Sequence, residues 1–523
     1  MRDVPRFLPA GSDAFLVELA DLDTTLTLLD RMAAARPEGV VELVPAARTV
    51  LVRFDPTATS RDRLAAHIAT LDLSQHTGRE GESFEIPVTY DGADLGDVAE
   101  ILGWTVAEVI RRHTAATYTV AFTGFAPGFA YMTCDDPAFD LPRRQSPRLR
   151  IPPGSVALGG RFGGIYPTES PGGWQLLGTT PLAMWDPARP ARAAMLAPGD
   201  RVHFRDMAKG ATVPTAWLAR PAKAPARPAT GLAITRADRP ALFQDLGRPG
   251  RADQGVARSG ALDRHSLTEA NLCVGNPPGM AALEIALGGF ALRADRPVTL
   301  AVTGAPCPLT IRAADGRQIP APFHRPFALD AGDELVLGFP QAGTRSYVAL
   351  RGGFRVEPLL GSAATDTLAK VGPAPLLAGD LLTPADAPAR AVDPDRPRPA
   401  PLPRAGEVVT LDLIPGPRTD WFTAQAVETL FAQDWQVTAE SSRVGMRLSG
   451  PVPLEKRDAA ELPSEGTAMG AVQVPHAGQP VLFLADHPLT GGYPVIGVVA
   501  RHHLDRAGQV PIGARIRFRE VTP

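Results

Sequence analysis

The chain reads as a mainly β protein with a small α+β domain at its amino terminus. Three observations predict this class. Short β-branched and aromatic runs recur from Tyr118 to about Arg205, parted by Gly or Pro every eight to twelve residues. The same pattern resumes beyond residue 230, at Val298–Val302, Glu334–Leu337 and Tyr347–Leu350. Glycine and proline together number 104 (50 plus 54), as a fold of many turns requires.

In chain order, Asp23–Ala35 has helical spacing, and Val40–Val44 and Thr49–Phe54 read as paired strands around Pro45-Ala46-Ala47. Ser60–Leu73 is a second helix whose Leu64, Ile68 and Leu71 form one apolar stripe. A strand at Phe84–Val88 and a helix near Leu95–Leu102 come next, and Thr105 with Glu108 matches a capping box opening a helix toward His113. Ala219–Thr230 (ARPAKAPARPAT) has no apolar period and reads as a linker; a second Pro-rich stretch, Pro388–Arg404, divides the rest of the chain. The expected units are 1–80 (α+β), 81–215 (β-barrel), a 216–230 linker, and 231–523, in two β-rich parts meeting near 388–404. At about 100–200 residues per domain, 523 residues agree with that number of units.

A weak echo joins the halves. Gly154–Gly159 leads to Ser170-Pro171-Gly172-Gly173-Trp174, and Gly466–Ala471 leads to Leu489-Thr490-Gly491-Gly492-Tyr493, the pattern a duplicated barrel would leave.

Charge and cysteine content narrow the function. With 53 basic against 56 acidic residues the net charge is -3, and no Lys or Arg run supplies the footprint of a nucleic-acid binder. Cys134, Cys273 and Cys307 form no CxxC pair, zinc spacing or disulfide framework. Neither an apolar signal core in Met1–Gly11 nor eighteen consecutive apolar residues occur, so no membrane partner and a cytoplasmic location are expected.

Familiar cofactor motifs are missing. None of the four lysines (Lys209, Lys223, Lys370, Lys456) precedes Ser or Thr, so no GxxxxGK[ST] loop exists. The glycine-rich segments lack the βαβ context of a dinucleotide fold, and HExxH and GxSxG are absent. Adjacent side chains diverge, so Asp486-His487 and His502-His503 make no convincing metal pair, and the metal ligands stay unknown.

The densest candidate is Phe122–Tyr131, with three phenylalanines, Tyr131, two glycines and Pro127 in ten residues. Aromatic walls exclude water, and free N–H groups near Gly128 can meet a carboxylate or carbonyl oxygen. His113, at the end of its helix, is expected beside this loop, where imidazole suits proton transfer. Two polar loops between glycines, Gln244–Gly250 and Arg258–Asp263, can present carboxylate and guanidinium groups together. Arg443 and Arg447 offer donor forks to anionic oxygens, with ion pairs to Asp or Glu as the alternative. Ser464, Glu465, Gln473 and Asp486 flank the last β repeat, where a carboxylate can act as base or hold magnesium.

At these residues the chain resembles a known family. GFAPGFAYM (Gly124–Met132), PPGSVALGG (Pro152–Gly160) and IYPTESPGGWQLLGTTPL (Ile165–Leu182) are similar to the B component of bacterial 5-oxoprolinase, also called KipI or allophanate hydrolase subunit 1. QDLGRPG (Gln244–Gly250), RSGALD (Arg258–Asp263), ANLCVGNP (Ala270–Pro277), SEGTAMGAVQVP (Ser464–Pro475) and LTGGYPVI (Leu489–Ile496) resemble the C component, or KipA. The sequence departs from the family pattern at Arg258 and Leu262, where Pro and Met are commoner, and in Ser442-Arg443-Val444-Gly445, which varies Asp-Arg-Met-Gly.

The resemblance implies a fusion of two components, a cyclophilin-like β-barrel in each half, and ATP-dependent opening of 5-oxoproline to glutamate together with a separate A component of 5-oxoprolinase. ATP and Mg2+ would be the cofactors, a small amide or lactam the substrate, and a homo-oligomer is compatible. Catalytic roles would fall to His113, Tyr131, Glu465 and Asp486. Phe125, Pro127, Gly128, Glu169, Trp174, Arg443, Arg447 and Gln473 would bind substrate or phosphate. The related alternatives are a biotin-dependent carboxyltransferase acting on urea or an amide, and a regulator of a sensor histidine kinase. No lysine lies between methionines, so this chain carries no biotinyl-lysine. A cyclophilin-like barrel by itself implies no prolyl isomerase.

Overall fold

A computed structural model describes residues 4–74, 81–144, 146, 148–189, 192–218, 231–397, 399–458 and 460–522. The linker reading at Ala219–Thr230 lies outside them.

The amino-terminal unit is a four-stranded antiparallel sheet in the order Arg6–Pro9, Ala14–Glu18, Thr49–Phe54, Val40–Pro45. Helix Leu22–Ala34 starts where the Asp21 carboxylate accepts the Thr24 amide, and helix Arg61–Ala69 starts where Ser60 accepts that of Arg63. Phe15, Val17, Val50 and Val52 of the sheet bury Leu28, Met32, Leu64 and Ile68 of the helices. The second helix stops at Ala69, short of the expected Leu73, because the Thr70 hydroxyl turns back onto the His67 carbonyl at 2.7 Å.

Next comes a seven-stranded barrel. Its strands, in chain order, are Ser83–Val88, Tyr118–Thr123, Ala130–Cys134, Ser155–Gly159, Phe162–Ile165, Gln175–Thr179 and Arg201–Asp206. Around the barrel the first strand runs parallel to the seventh, followed by the second, third, fifth, fourth and sixth. Reciprocal Thr89–Thr179 bonds at 2.8 Å bring the sixth back to the first. The second barrel is closed and built from Val408–Pro415, Trp435–Val437, Gly445–Ser449, Ala471–Gln473, Val481–Phe483, Val495–Val499 and Arg515–Glu520. Its circular order is identical, with the same parallel first–seventh pair.

Each barrel also carries a two-stranded ribbon at the same place in its topology: Arg148–Ile151 with Ser170–Gly172, and Glu465–Gly466 with Thr490–Gly491. Such matched topology is what a duplication leaves. The echo is in register at SPGGW and LTGGY but offset at its start. Gly154 (φ 81°) corresponds to Gly470 (φ 90°), each left-handed immediately before the fourth strand, rather than to Gly466.

Between the barrels, residues 232–382 form a sandwich of a six-stranded and a five-stranded sheet. Its core includes Leu283, Leu300, Leu335 and Val348, and helix Arg264–Cys273 packs through Ala270 and Cys273 on Ala301, Tyr347 and Ala349 of the smaller sheet. The Pro-rich segment after it is pinned to the sandwich: Arg390 N donates to Gly275 O, Asp393 N to Cys273 O, and the Arg396 guanidinium grips Glu269. Among the described residues no helix is long and apolar enough to cross a membrane.

Candidate active site

A cavity of about 530 Å³ opens where both barrels meet the sandwich, within the size range of ligand pockets. The first barrel contributes Phe125, Ala126, Pro127 and the loop containing Glu169, the sandwich contributes Asp366 and Leu368, and the second barrel contributes Arg447, Gln473, Phe483 and His487. Phe125, Pro127, Glu169, Arg447 and Gln473 are therefore brought together.

The aromatic turn is held from both sides. A Cβ on Gly124 would lie 2.8 Å from the Thr490 hydroxyl, and the Phe125 amide donates to that hydroxyl at 3.1 Å. Phe125 has a left-handed φ of 63°, a conformation a bulky residue keeps only when its surroundings impose it. On the other side Thr123 Oγ1 donates to Asp253 O at 2.8 Å and the Gly128 amide to Gln254 O at 3.0 Å. The turn thus bolts the first barrel to the sandwich and to the second barrel. The Gly128 N–H expected for substrate is already committed.

Tyr131 and Trp174 lie behind the cavity wall, in a buried cluster with Phe122, Phe129 and Phe162. Ring centroids there are 4.5–5.7 Å apart, and burial raises the Tyr131 pKa although the Thr490 and Ser464 hydroxyls bond to it. They support Phe125 rather than meet a ligand.

His113 is elsewhere. Its helix is capped as expected, Thr105 Oγ1 accepting the Glu108 amide at 3.2 Å, although the Glu108 carboxylate turns to Arg111 instead of closing the box. The helix buries the imidazole against Phe204, 4.5 Å between centroids, with Tyr118 and Phe139 around it and Tyr90 Oη 2.8 Å from Nδ1. Burial lowers its pKa to about 3, so it is a neutral imidazole near pH 7. His113→Ala is expected to cost roughly 2–4 kcal/mol of stability by cavity formation, read from chemical denaturation, and to leave ligand binding in the cavity unchanged.

Three more expected ligand groups bind one another or protein partners. Arg443 donates from Nε and Nη2 to Asp486 at 2.9 and 3.0 Å, from Nη1 to Glu284, and from Nη2 to Gly260 O at 2.7 Å. Asp486 also accepts from Ser259 Oγ at 2.6 Å and from the Thr367 amide and hydroxyl at 2.9 and 2.8 Å. Burial opposes its charge, yet Arg443 and these donors keep its pKa below the usual carboxylate value. The network staples the second barrel to the sandwich. Glu465 is likewise gripped by Arg418, which also reaches Glu18 of the amino-terminal sheet at 2.9 Å; burial raises its pKa against the pull of Arg418. Arg447, by contrast, is 56% exposed and only 3.8 Å from Glu440, so its fork is available.

Asp366 escaped the motif reading, and His487 entered it only in the rejected metal pair with Asp486. Asp366 is 1% exposed; its Oδ1 accepts the Leu368 and Ala369 amides at 3.0 and 2.8 Å, while its buried Oδ2 has no partner. Burial and the nearby Asp486 charge push its pKa up to about 7. Its only sequence signal is an Asp two residues before an amide it can cap. His487 stacks on Phe483 and turns Nδ1 toward Pro488 O at 2.9 Å; burial lowers its pKa to about 4.

Contrary to the expected divergence, a helical turn brings His502 and His503 together, 4.4 Å between centroids, and both face Asp412. Arg519 already holds that carboxylate at 2.6 Å, and the Asp412 amide donates to His503 Nδ1 at 2.8 Å, which leaves a poor donor set for a metal.

Comparison with known proteins agrees with this two-part construction. Residues 5–195 match the family model for carboxyltransferase domain, subdomains C and D, and residues 254–520 that for subdomains A and B. The chain is 34% identical over 288 residues to the C component of 5-oxoprolinase from Escherichia coli K12, covering 55% of this chain and 90% of that protein. It is 39% identical over 177 residues to the B component of 5-oxoprolinase from Escherichia coli O157:H7, covering 33% and 80%. The crystal structure of TTHA0988 superposes with a TM-score of 0.81 at 36% identity, over 97% of this chain and 99% of that one. With a first half like the B component and a second half like the C component in one polypeptide, the chain belongs to the carboxyltransferase-domain family that includes both of these parts of 5-oxoprolinase.

Proposed function

We propose that the chain is the fused B–C component of an ATP-dependent 5-oxoprolinase and binds the lactam in the cavity between its barrels. The supporting observation is the position of that cavity: its walls come from both halves, so separate B and C chains would have to associate to form it. Phe125 and Pro127 offer the apolar ring a dry face, while Gln473 and Arg447 offer polar contacts to the amide and carboxylate. Asp366, with a pKa of about 7 and so partly protonated near neutrality, is positioned at the wall to give its proton to the ring nitrogen as the C–N bond of the water adduct breaks, and to take back the proton that the added water then releases.

A triphosphate does not fit this cavity. Arg447 is its only cationic wall residue among those described, against Glu169 and Glu440, and Arg443 is spent on Glu284 and Asp486. No step through ATP or Mg2+ is therefore assigned to the cavity, and ATP-driven activation of the lactam falls to the assembly with the separate A component.

The carboxyltransferase alternative rests on the family models; it would need biotin delivered on another chain. Calorimetry separates the two. Full-length protein is expected to bind 5-oxoproline, to lose about ten-fold or more in affinity in Phe125→Ala, and to form glutamate only when the A component and ATP are added. Absence of 5-oxoproline binding, together with binding of free biotin, would reverse the assignment.

A further inference from the structure

Four arginines converge on a second cavity of about 200 Å³, walled by the amino-terminal sheet, the sandwich and the second barrel. Arg53 comes from strand Thr49–Phe54, Arg258 from the loop ahead of helix Arg264–Cys273 of the sandwich, Arg264 from the first turn of that helix, and Arg501 from the turn Arg501–His503. The wall answers with Asp13 and Asp55. Asp55 is exposed and its Oδ1 is occupied by the Thr57 amide and hydroxyl at 2.9 and 2.7 Å.

Only Arg53 of the four has an ion pair among the described residues, with Glu42 at 3.1 Å. Asp505 meets the backbone amides of Arg264 and His265, at 3.0 and 3.3 Å, instead of a guanidinium. Arg264 Nε is buried without a partner. Burial, then the charges of Arg258, Arg53 and Arg501, push the Arg264 pKa down to about 10, and burial with Arg53 and Arg501 also lowers that of Arg258.

Holding like charges close together in a half-buried pocket is unfavourable unless an anion joins them. We propose that this pocket is a binding site for a phosphate oxyanion, gripped by Arg258, Arg264 and Arg501. Arg258 Nε donates to Leu246 O at 3.1 Å, which leaves its two Nη groups, with the guanidinium donors of Arg264 and Arg501, to meet the oxygens of a tetrahedral anion from three directions. The pocket admits a phosphate group but not a whole nucleotide, and His487 forms part of its wall and of the larger cavity's, so the anion sits next door to the lactam site. The site stands independently of the lactam reading.

The test is calorimetric titration of the full chain with inorganic phosphate at constant ionic strength. One saturable site is expected, with sulfate competing and acetate not. Losing one charge-assisted contact is expected to weaken phosphate about ten-fold in Arg258→Gln and about five-fold in Arg501→Gln. Arg501 is exposed, so its variant keeps the fold, and relief of repulsion is expected to leave its phosphate-free thermal midpoint equal to or above that of the parent. ATP that displaces phosphate identifies a nucleotide phosphate as the ligand; ATP that does not identifies the free anion. Absence of saturable binding, or unchanged affinity in both variants, overturns the proposal. Titration of the same variants with 5-oxoproline is expected to match the parent, so failure here and failure of the lactam reading are told apart.

Discussion

Arg443→Ala is expected to destabilise the second barrel by about 3–5 kcal/mol, the range for removing one partner of a buried ionic pair. Asp486 is fully buried and Glu284 is 3% exposed, and the guanidinium is the cation that meets both. Without it Glu284 keeps Arg345 at 3.6 Å, but Asp486 keeps only the Ser259 and Thr367 donors and is a fully buried carboxylate with no cation in contact. The effect is local, so it is best read as lost amide protection in strands Gly445–Ser449 and Val481–Phe483.

The deficit also has a sign in pH. In the parent the Asp486 pKa is depressed, so its contribution is complete above the ordinary value of 3.8 and disappears only as pH falls through the folded value. In the variant, burial remains and Arg443 does not, so the Asp486 pKa rises and stability falls as pH increases above 3.8. The gap between parent and variant is therefore expected to widen from pH 5 to pH 8. Arg443→Lys, which keeps charge but not the bidentate fork, is expected to fall between them. A deficit below about 1 kcal/mol would instead fit a hydrated surface pair.

These same residues show what one dimension can and cannot convey. Helix starts were readable because a cap is a local event: Ser60 and Thr105 bond the amides three residues on, and nothing distant interferes. The duplication was readable at Gly172 and Gly491 because both ribbons keep their turn residues. The first two strands, Arg6–Pro9 and Ala14–Glu18, were missed, since a four- or five-residue strand has too few alternations to register.

At the site, the motifs did find polar residues of consequence but not their partners. Glu465 stands in Ser464–Pro475, Arg443 in Ser442–Gly445 and Asp486 just ahead of Leu489–Ile496, and all three make fixed polar contacts at seams between units. Their counterparts, Arg418, Ser259 and Glu284, lie 47, 227 and 159 residues away in sequence. His113 failed for the same reason: its ring is buried by Phe204, from the last strand of the barrel. Asp366 lacks a motif because what distinguishes it is a buried, unpartnered oxygen within the wall of a cavity, which only the packing reveals.

Asp366→Asn is expected to lower turnover of the reconstituted enzyme by about 10²–10⁴, the range for losing a general acid or base, while 5-oxoproline affinity changes little. Asparagine keeps an oxygen for the Leu368 and Ala369 amides, so the turn that presents the side chain survives. What it lacks is a transferable proton. In the parent, activity that needs the protonated carboxyl is expected to fall as pH rises through about 7, and that inflection is expected to vanish in the variant. Stability supplies a second, opposite readout. A carboxyl whose folded pKa is raised from 3.8 to about 7 holds a proton that the unfolded chain releases, so the parent loses stability as pH climbs through that window. The neutral amide bears no such penalty beside Asp486, and the variant is expected to be the more stable protein at pH 8. A purely structural Asp366 would lose stability and activity together; a rise in one with a collapse of the other identifies a group kept in an unfavourable ionisation state for the proton it transfers.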